Sequence, residues 1–254
     1  MRFLNFCQQS ISNSLILAGV LILLIGVASF LVQLYKTWIL RERFAWRTVA
    51  LPKRVQRIIA VLNLKNRVDV IADANLFSFC VGLFSPRVMI STGLVGSLSD
   101  KELEAVFLHE QAHIQNFDPL KMIFGQTIAS MFFFLPIFHE LNKNMITINE
   151  LMADNWAVKK QQIATFIKRA MKKILVSPQV AIVAVPAVSH PDSLEIRIYR
   201  LVNPGIKHNF YLSRASIIIT ILFLGLGLFV WQTPVKAQRE QCHLTSEFRI
   251  YYNK

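Results

Sequence analysis

The chain has 254 residues and a net charge of +13, and it is 54% hydrophobic and only 17% charged. A composition this apolar excludes an ordinary soluble domain of the same size. The positive charge invites a nucleic-acid reading, but Lys and Arg are concentrated between two uncharged apolar runs, which argues against one.

The first run, residues 15–34, reads LILAGVLILLIGVASFLVQL. It fits a transmembrane helix of roughly 20 residues. Only Arg2 precedes it, and the run is long for a cleaved signal peptide, so a retained anchor with a short extracytoplasmic segment 1–14 is predicted. Residues 36–67 carry nine Lys/Arg against one acid, Glu42. They read as basic amphipathic helix, with Pro52 at a start and Val55, Ile58, Ile59 and Leu62 on one side. Snorkelling Lys and Arg would hold this segment to an anionic membrane surface. From Val68 the period changes to that of strands. VDVIA, LFSFCVG and RVMIS are short, rich in Val, Ile and Phe, and punctuated by Gly82, Pro86 and Gly93. A small sheet is expected, with residues 87–91 in the exposed edge region that could receive an extended peptide.

Next comes VFLHEQAHIQNFDPL, residues 106–120. His109 and His113 are four apart and share one helical face, where two imidazoles can grip one Zn²⁺. Glu110 lies beside the first of them and can take a proton from the attacking water, as in the HExxH arrangement of zinc peptidases. Ser99 or Asp100 can cap the helix, and Glu102 and Glu104 sit in its first turn. A third apolar run, residues 123–139, is weakened by Gln126, Ser130 and Pro136. A full crossing there would separate the HExxH from everything after it, so a re-entrant or membrane-lying hairpin is predicted. NELMADNWAV, residues 149–158, then offers Glu150 as a third metal ligand. Asp154, one turn on, can bond a liganding histidine's other nitrogen. The last run, residues 215–231, opens after Arg214 and fits a second transmembrane helix, followed by an extracytoplasmic tail, 232–254.

Residues 75–120, the ExxAD at 150–154 and SHPDSLEIRIYRL at 189–201 together resemble the BlaR1/MecR1-type membrane metallopeptidases of family M56. Much of the pattern is shared with the HtpX/Ste24-like family M48. The resemblance, over roughly residues 35–203, implies an α+β integral membrane protein. It would be mostly helical, with a zincin-like catalytic domain and a small β-sheet between two transmembrane helices. By the same resemblance His109, His113 and Glu150 hold Zn²⁺ and Glu110 is the general base. His190 would donate to the developing oxyanion, Asp118 and Asp154 would support the ligands, and Arg197 would order the wall around them. The sensor-transducers of M56 carry a large extracytoplasmic penicillin-binding domain. Only 23 residues follow Trp231, so direct β-lactam sensing by this chain is not expected.

Charge asymmetry places residues 35–214 in the cytoplasm and both termini outside a cell membrane that the chain crosses more than once. The expected activity is hydrolysis of cytoplasmic or membrane-proximal proteins, such as a repressor or a membrane protein, with the lipid bilayer as a second partner and no nucleic acid. The alternatives are HtpX-like quality control and a non-proteolytic zinc-binding signalling protein. Cys80 is expected to be a reduced core residue. Cys7 and Cys242 would share the oxidising side, where a bridge between them could form.

Overall fold

The computed structural model describes residues 2–176, 191–203 and 212–228. Cys242, His190 and residues 229–231 of the last apolar run lie outside them, as does the side chain of Cys7. The chain forms two compact units. One comprises Phe30–Gln126 and Asn142–Phe210, the other Met1–Ser29, Thr127–Leu141 and Tyr211–Lys254.

The first helix, α1 (Arg2–Ala45), is longer than its apolar run. No proline interrupts residues 2–45, so the backbone ladder continues through the basic residues that follow Leu34. Its stretch Ile16–Ala45 is long and apolar enough to cross a membrane, with a mean hydropathy of 2.6 over its most apolar window. The basic segment 36–67 is therefore not one helix. It supplies the end of α1, the short strand β1 (Thr48–Val49) and α2 (Lys53–Val61), with Pro52 at the N-cap position. The apolar side of α2 is spent on the core, where Val55 and Ile59 are buried, so it is not free to face lipid.

The three expected strands are present as β2 (Val68–Ile71), β3 (Ser78–Val81) and β4 (Arg87–Ser91). The sheet order is β1-β2-β4-β3, with β2 and β4 parallel and the outer pairs antiparallel. This corrects one expectation. RVMIS is a central strand, paired on both sides, and the edge beside the HExxH helix is β3. Burial explains the difference, since Val88, Met89, Ile90 and Ser91 are all buried, the pattern of a strand covered on both faces. One face carries Val70, Val88 and Ile90 against Leu94, Leu103 and Phe107. The other carries Phe77, Phe79 and Met89 against Phe44 near the end of α1. Gly82, at φ +112°, takes the turn out of β3 in a conformation that L side chains rarely adopt.

Ser91 caps the short helix α3 (Thr92–Ser97). Ser99, not Asp100, caps α4 (Asp100–Gln115) in a reciprocal capping box with Glu102. Arg54 of α2 locks this junction by binding the Val95 carbonyl at 2.9 Å and pairing with Asp100 and the Leu98 carbonyl. The third apolar run divides into α5 (Asp118–Met131) and α6 (Pro136–Gln161). Pro136 does not break a helix but begins one, where its missing N–H costs nothing. In the unit that comprises Phe30–Gln126 and Asn142–Phe210 the two legs lie side by side, with Asn142 donating to Gln126 at 3.1 Å. In the other unit the hairpin tip meets both apolar helices. A Cβ at Gly26 would strike Met131, and Phe134 packs on Phe223 of the helix Arg214–Leu228 with ring centroids 5.2 Å apart. Glu140 accepts from the Ser213 amide and the Ser216 hydroxyl at the start of that helix. Two further helices, α7 (Thr165–Val176) and α8 (Pro191–Val202), belong to the same unit as α4, with Ile167, Met171 and Leu201 clustered around Ala105 of α4.

Phe107 is fully buried on α4 beneath the sheet. Phe107→Ala is expected to destabilise the unit that holds the sheet by about 3–5 kcal/mol through lost burial and a residual cavity. Thermal unfolding of detergent-purified protein checks this, and an unchanged midpoint would contradict the packing described.

Candidate metal centre

Helix α4 places His109 and His113 one turn apart, and both side chains are about nine-tenths buried. Helix α6 supplies Glu150 from the facing side. The His109 and His113 Nε2 atoms are 3.1 Å apart, and they lie 3.5 and 3.6 Å from the nearer oxygens of Glu150. For bonds of about 2.0–2.1 Å, the donors of a tetrahedral zinc are spaced about 3.3–3.4 Å. Two imidazoles and one carboxylate thus outline one face of such a tetrahedron before any ion is added. Two imidazoles and one carboxylate are a donor set that zinc sites with a water ligand also use.

The supporting residues converge on the same place. His113 Nδ1 is hydrogen-bonded to Asp118 at 2.8 Å, and Asp118 also pairs with Lys121 at 3.0 Å. A two-residue joint makes this possible. Asn116 ends α4, and Phe117 turns in the left-handed region at φ +53°, so Asp118 opens α5 beside the histidine. His109 Nδ1 lies 2.9 Å from Asp154, close but not aligned as a hydrogen bond. Charge attraction does not depend on that alignment. Arg197 of α8 grips Asp154 with two bonds of 2.8 Å and reaches Glu150 at 2.7 Å. Gln111 ties the other side of α4, donating to the Leu62 carbonyl at 2.7 Å and accepting from Trp156 of α6 at 3.4 Å.

These charges set the protonation states. Burial would push the Glu150 carboxyl up, but Arg197 and the two histidines outweigh it and hold it at about 2. Burial also acts against the charged form of Asp154, and Arg197 again prevails, holding it well below the usual range. For His109, burial favours the neutral ring, yet the Asp154 and Glu150 carboxylates raise it to about 10. Cys80 of β3 is pushed far up by burial and by the Glu110 carboxylate, so it is a neutral thiol and not a nucleophile.

Glu110 is buried on α4. One of its oxygens accepts from Ser78 Oγ at 2.9 Å, while the other has no hydrogen-bond partner among the described residues. Ser78 escaped the sequence reading. Its signal was a hydroxyl between two phenylalanines on a strand, Phe77-Ser78-Phe79. Beside β3 a cleft opens, walled by Thr37 and Leu40 of α1, Cys80 and Gly82, and Met122 and Ile123 of α5.

The family described as BlaR1 peptidase M56 matches residues 7–201. The chain belongs to that family. It is 28% identical over 94 residues to the regulatory protein BlaR1 of Staphylococcus aureus, a match covering 36% of this chain and 16% of that protein. It is 39% identical over 62 residues to a protease HtpX homolog of Herminiimonas arsenicoxydans, covering 24% of this chain and 21% of the relative. With protease HtpX of Wigglesworthia glossinidia brevipalpis it shares 28% identity over 104 residues, 40% of this chain and 35% of the other. Each match thus spans well under half of its relative's length. The solved structure of Ste24p from S. mikatae aligns with a TM-score of 0.46 at 18% identity, over 76% of this chain and 65% of that one.

With His109 raised to about 10, the metal-free protein holds a proton that a metal must displace. Binding therefore releases a proton at any pH below that value, and apparent affinity rises with pH by up to about tenfold per unit. Zinc calorimetry in buffers of different ionisation enthalpy, at about pH 6 to 9, measures the release. A heat independent of buffer would contradict the charge state assigned to His109.

Proposed function

We propose that this chain is a zinc-dependent, membrane-bound endopeptidase that hydrolyses peptide bonds of cytoplasmic or membrane-proximal proteins. The observation that carries this reading is the meeting of His109, His113 and Glu150 beside a buried Glu110 with one unpartnered oxygen. His109, His113 and Glu150 would hold a zinc ion, which would supply a water of lowered pKa and a Lewis acid for the scissile carbonyl. Glu110 takes the proton of the attacking water and returns it to the amine nitrogen as the C–N bond breaks. Asp118 and Asp154 orient the two imidazoles, and Arg197 keeps Asp154 and Glu150 ionised. His190 is kept as the donor to the developing oxyanion, supported by the resemblance of residues 189–201 alone.

The substrate backbone pairs with the outer edge of β3, which has no strand partner among the described residues. The cleft at Cys80 and Gly82 then receives one of its side chains. A signalling role such as repressor cleavage draws support from the regulatory relative, and quality control from the relatives called protease HtpX. The catalytic unit is cytoplasmic and both termini are outside, as the basic flanks of the apolar helices favour. The hairpin tip reaches about mid-bilayer. Met131 lies against Gly26, ten residues before Lys36, and Phe134 against Phe223, nine residues after Arg214. Both spacings correspond to about 14–15 Å of helix, half of a hydrocarbon core of about 30 Å.

Single cysteines at Lys101 and Lys159, on exposed positions of α4 and α6, are expected to label from the same cytoplasmic side, while one at Phe133 in the hairpin tip stays unlabelled. Labelling of the first two from opposite faces would make the hairpin a full span and refute this topology.

Glu110→Gln is expected to retain zinc and lose about 10²–10⁴-fold in rate. Glu150→Gln and His113→Ala are expected to lose metal along with activity, and Asp154→Asn to lose roughly 10–100-fold. Zinc content and cleavage of one peptide are measured side by side. A Glu110→Gln protein cleaving at the wild-type rate would overturn the mechanism, and unaltered zinc content in all four would overturn the site. The non-proteolytic alternative predicts zinc binding without new substrate N-termini when proteomes of cells with wild-type and Glu110→Gln protein are compared.

A further inference from the structure

Strand β3 alternates sharply. Phe79 and Val81 enter the aromatic cluster around Phe44, so Ser78 and Cys80 point to the opposite face, toward α4. On that face the sheet is otherwise apolar, built from Val68, Val70, Val88 and Ile90. The Ser78 hydroxyl there donates to Glu110 at 2.9 Å. The thiol two residues on offers no comparable donor, because it is a weak one. Ser78 is also held in register, opposite Ile90 in the ladder with β4, so its position is set by the sheet and not by a loop.

Glu110 needs such support. Its terminal torsion is intrinsically broad, and a buried carboxylate without partners would rotate toward any donor it finds. With Oε1 occupied by Ser78, Oε2 is left without a hydrogen bond in a buried setting. An unsatisfied buried acceptor is costly unless something arrives to use it. We propose that Ser78 is a positioning residue for Glu110, whose hydroxyl fixes one carboxylate oxygen so that the other stays free to accept the proton of the attacking water. This rests on the metallopeptidase reading above.

The experiment uses the full chain in detergent, loaded with zinc, and reads kcat, KM and zinc affinity. Ser78→Ala is expected to lower kcat by about 10-fold or more, the size of effect seen when a supporting hydrogen bond is removed. KM is expected to stay within about twofold and zinc affinity to be unchanged. Ser78→Thr, which retains the hydroxyl, restores most of the rate. Ser78→Val, with the shape of threonine and no hydroxyl, does not. In the Glu110→Gln background, Ser78→Ala has no further effect on the residual rate, because the group it acts through is gone.

A loss carried by KM would make Ser78 a substrate contact and overturn the proposal. So would weakened zinc binding, equal rates in the threonine and valine variants, or an undiminished effect of Ser78→Ala in the Glu110→Gln background. If Glu110→Gln alone cleaves at the wild-type rate, the metallopeptidase reading fails first, and that result is distinguishable from a silent Ser78→Ala in an otherwise Glu110-dependent enzyme.

Discussion

Two carboxylates lie one turn apart on a single face of α6, Asp154 buried and Glu150 partly buried. Glu150 and Asp154 would repel each other strongly in a poorly solvated interior. Arg197 prevents this by sitting across both of them, with two bonds to one and one to the other. Removing one partner from a buried cluster of this kind typically costs about 3–5 kcal/mol, because it leaves a charge uncompensated. Much of the catalytic unit follows from that requirement. Helix α8 must dock where its guanidinium meets α6, and α4 must present its histidines to the same two carboxylates. The centre is thus charge-balanced by protein groups, and His109 inherits a field that favours its cationic form.

The second constraint is topological. The residues that meet at the centre come from α4 and α6, separated by an apolar run that resembles a membrane crossing. A straight span would keep them apart for good. The chain instead reverses at residues 132–135, and the legs of the hairpin touch through Gln126 and Asn142. A sharper reversal at Phe117 brings Asp118 back to His113 within five residues. Both turns serve the centre, one over a long distance and one over a short one.

The HExxH spacing, Glu150 and Asp154 were legible because helical periodicity is enough to put them on shared faces. The hairpin was expected because the metal set demanded that both of its ends return to one place. The three longer strands were readable from their β-branched and aromatic runs, and β1 was not, being two residues long and meaningful only beside β2. The order of the strands was not legible either. Local pattern shows which residues form strands, whereas the neighbours of a strand are set by crossovers, and RVMIS proved central. The end of α1 was missed because charged residues close an apolar run without closing a helix. Asp118 and Arg197 came from resemblance alone: Asp118 returns to His113 only through the left-handed turn at Phe117, and Arg197 meets Asp154 43 residues away. Ser78 was invisible for a similar reason. A serine in a strand carries no helical or ligand spacing, and its partner lies 32 residues away.

The brevity of β3 has a kinetic consequence. A strand of four residues bordered by a glycine turn offers an incoming backbone only two or so well-formed ladder bonds. A peptide docked along it would be held too lightly to linger once its central bond is cut. Turnover would then be governed by how often a suitable chain arrives and how well one side chain fits the neighbouring cleft, and the same shortness denies the exposed edge enough ladder to serve as a seed for aggregation.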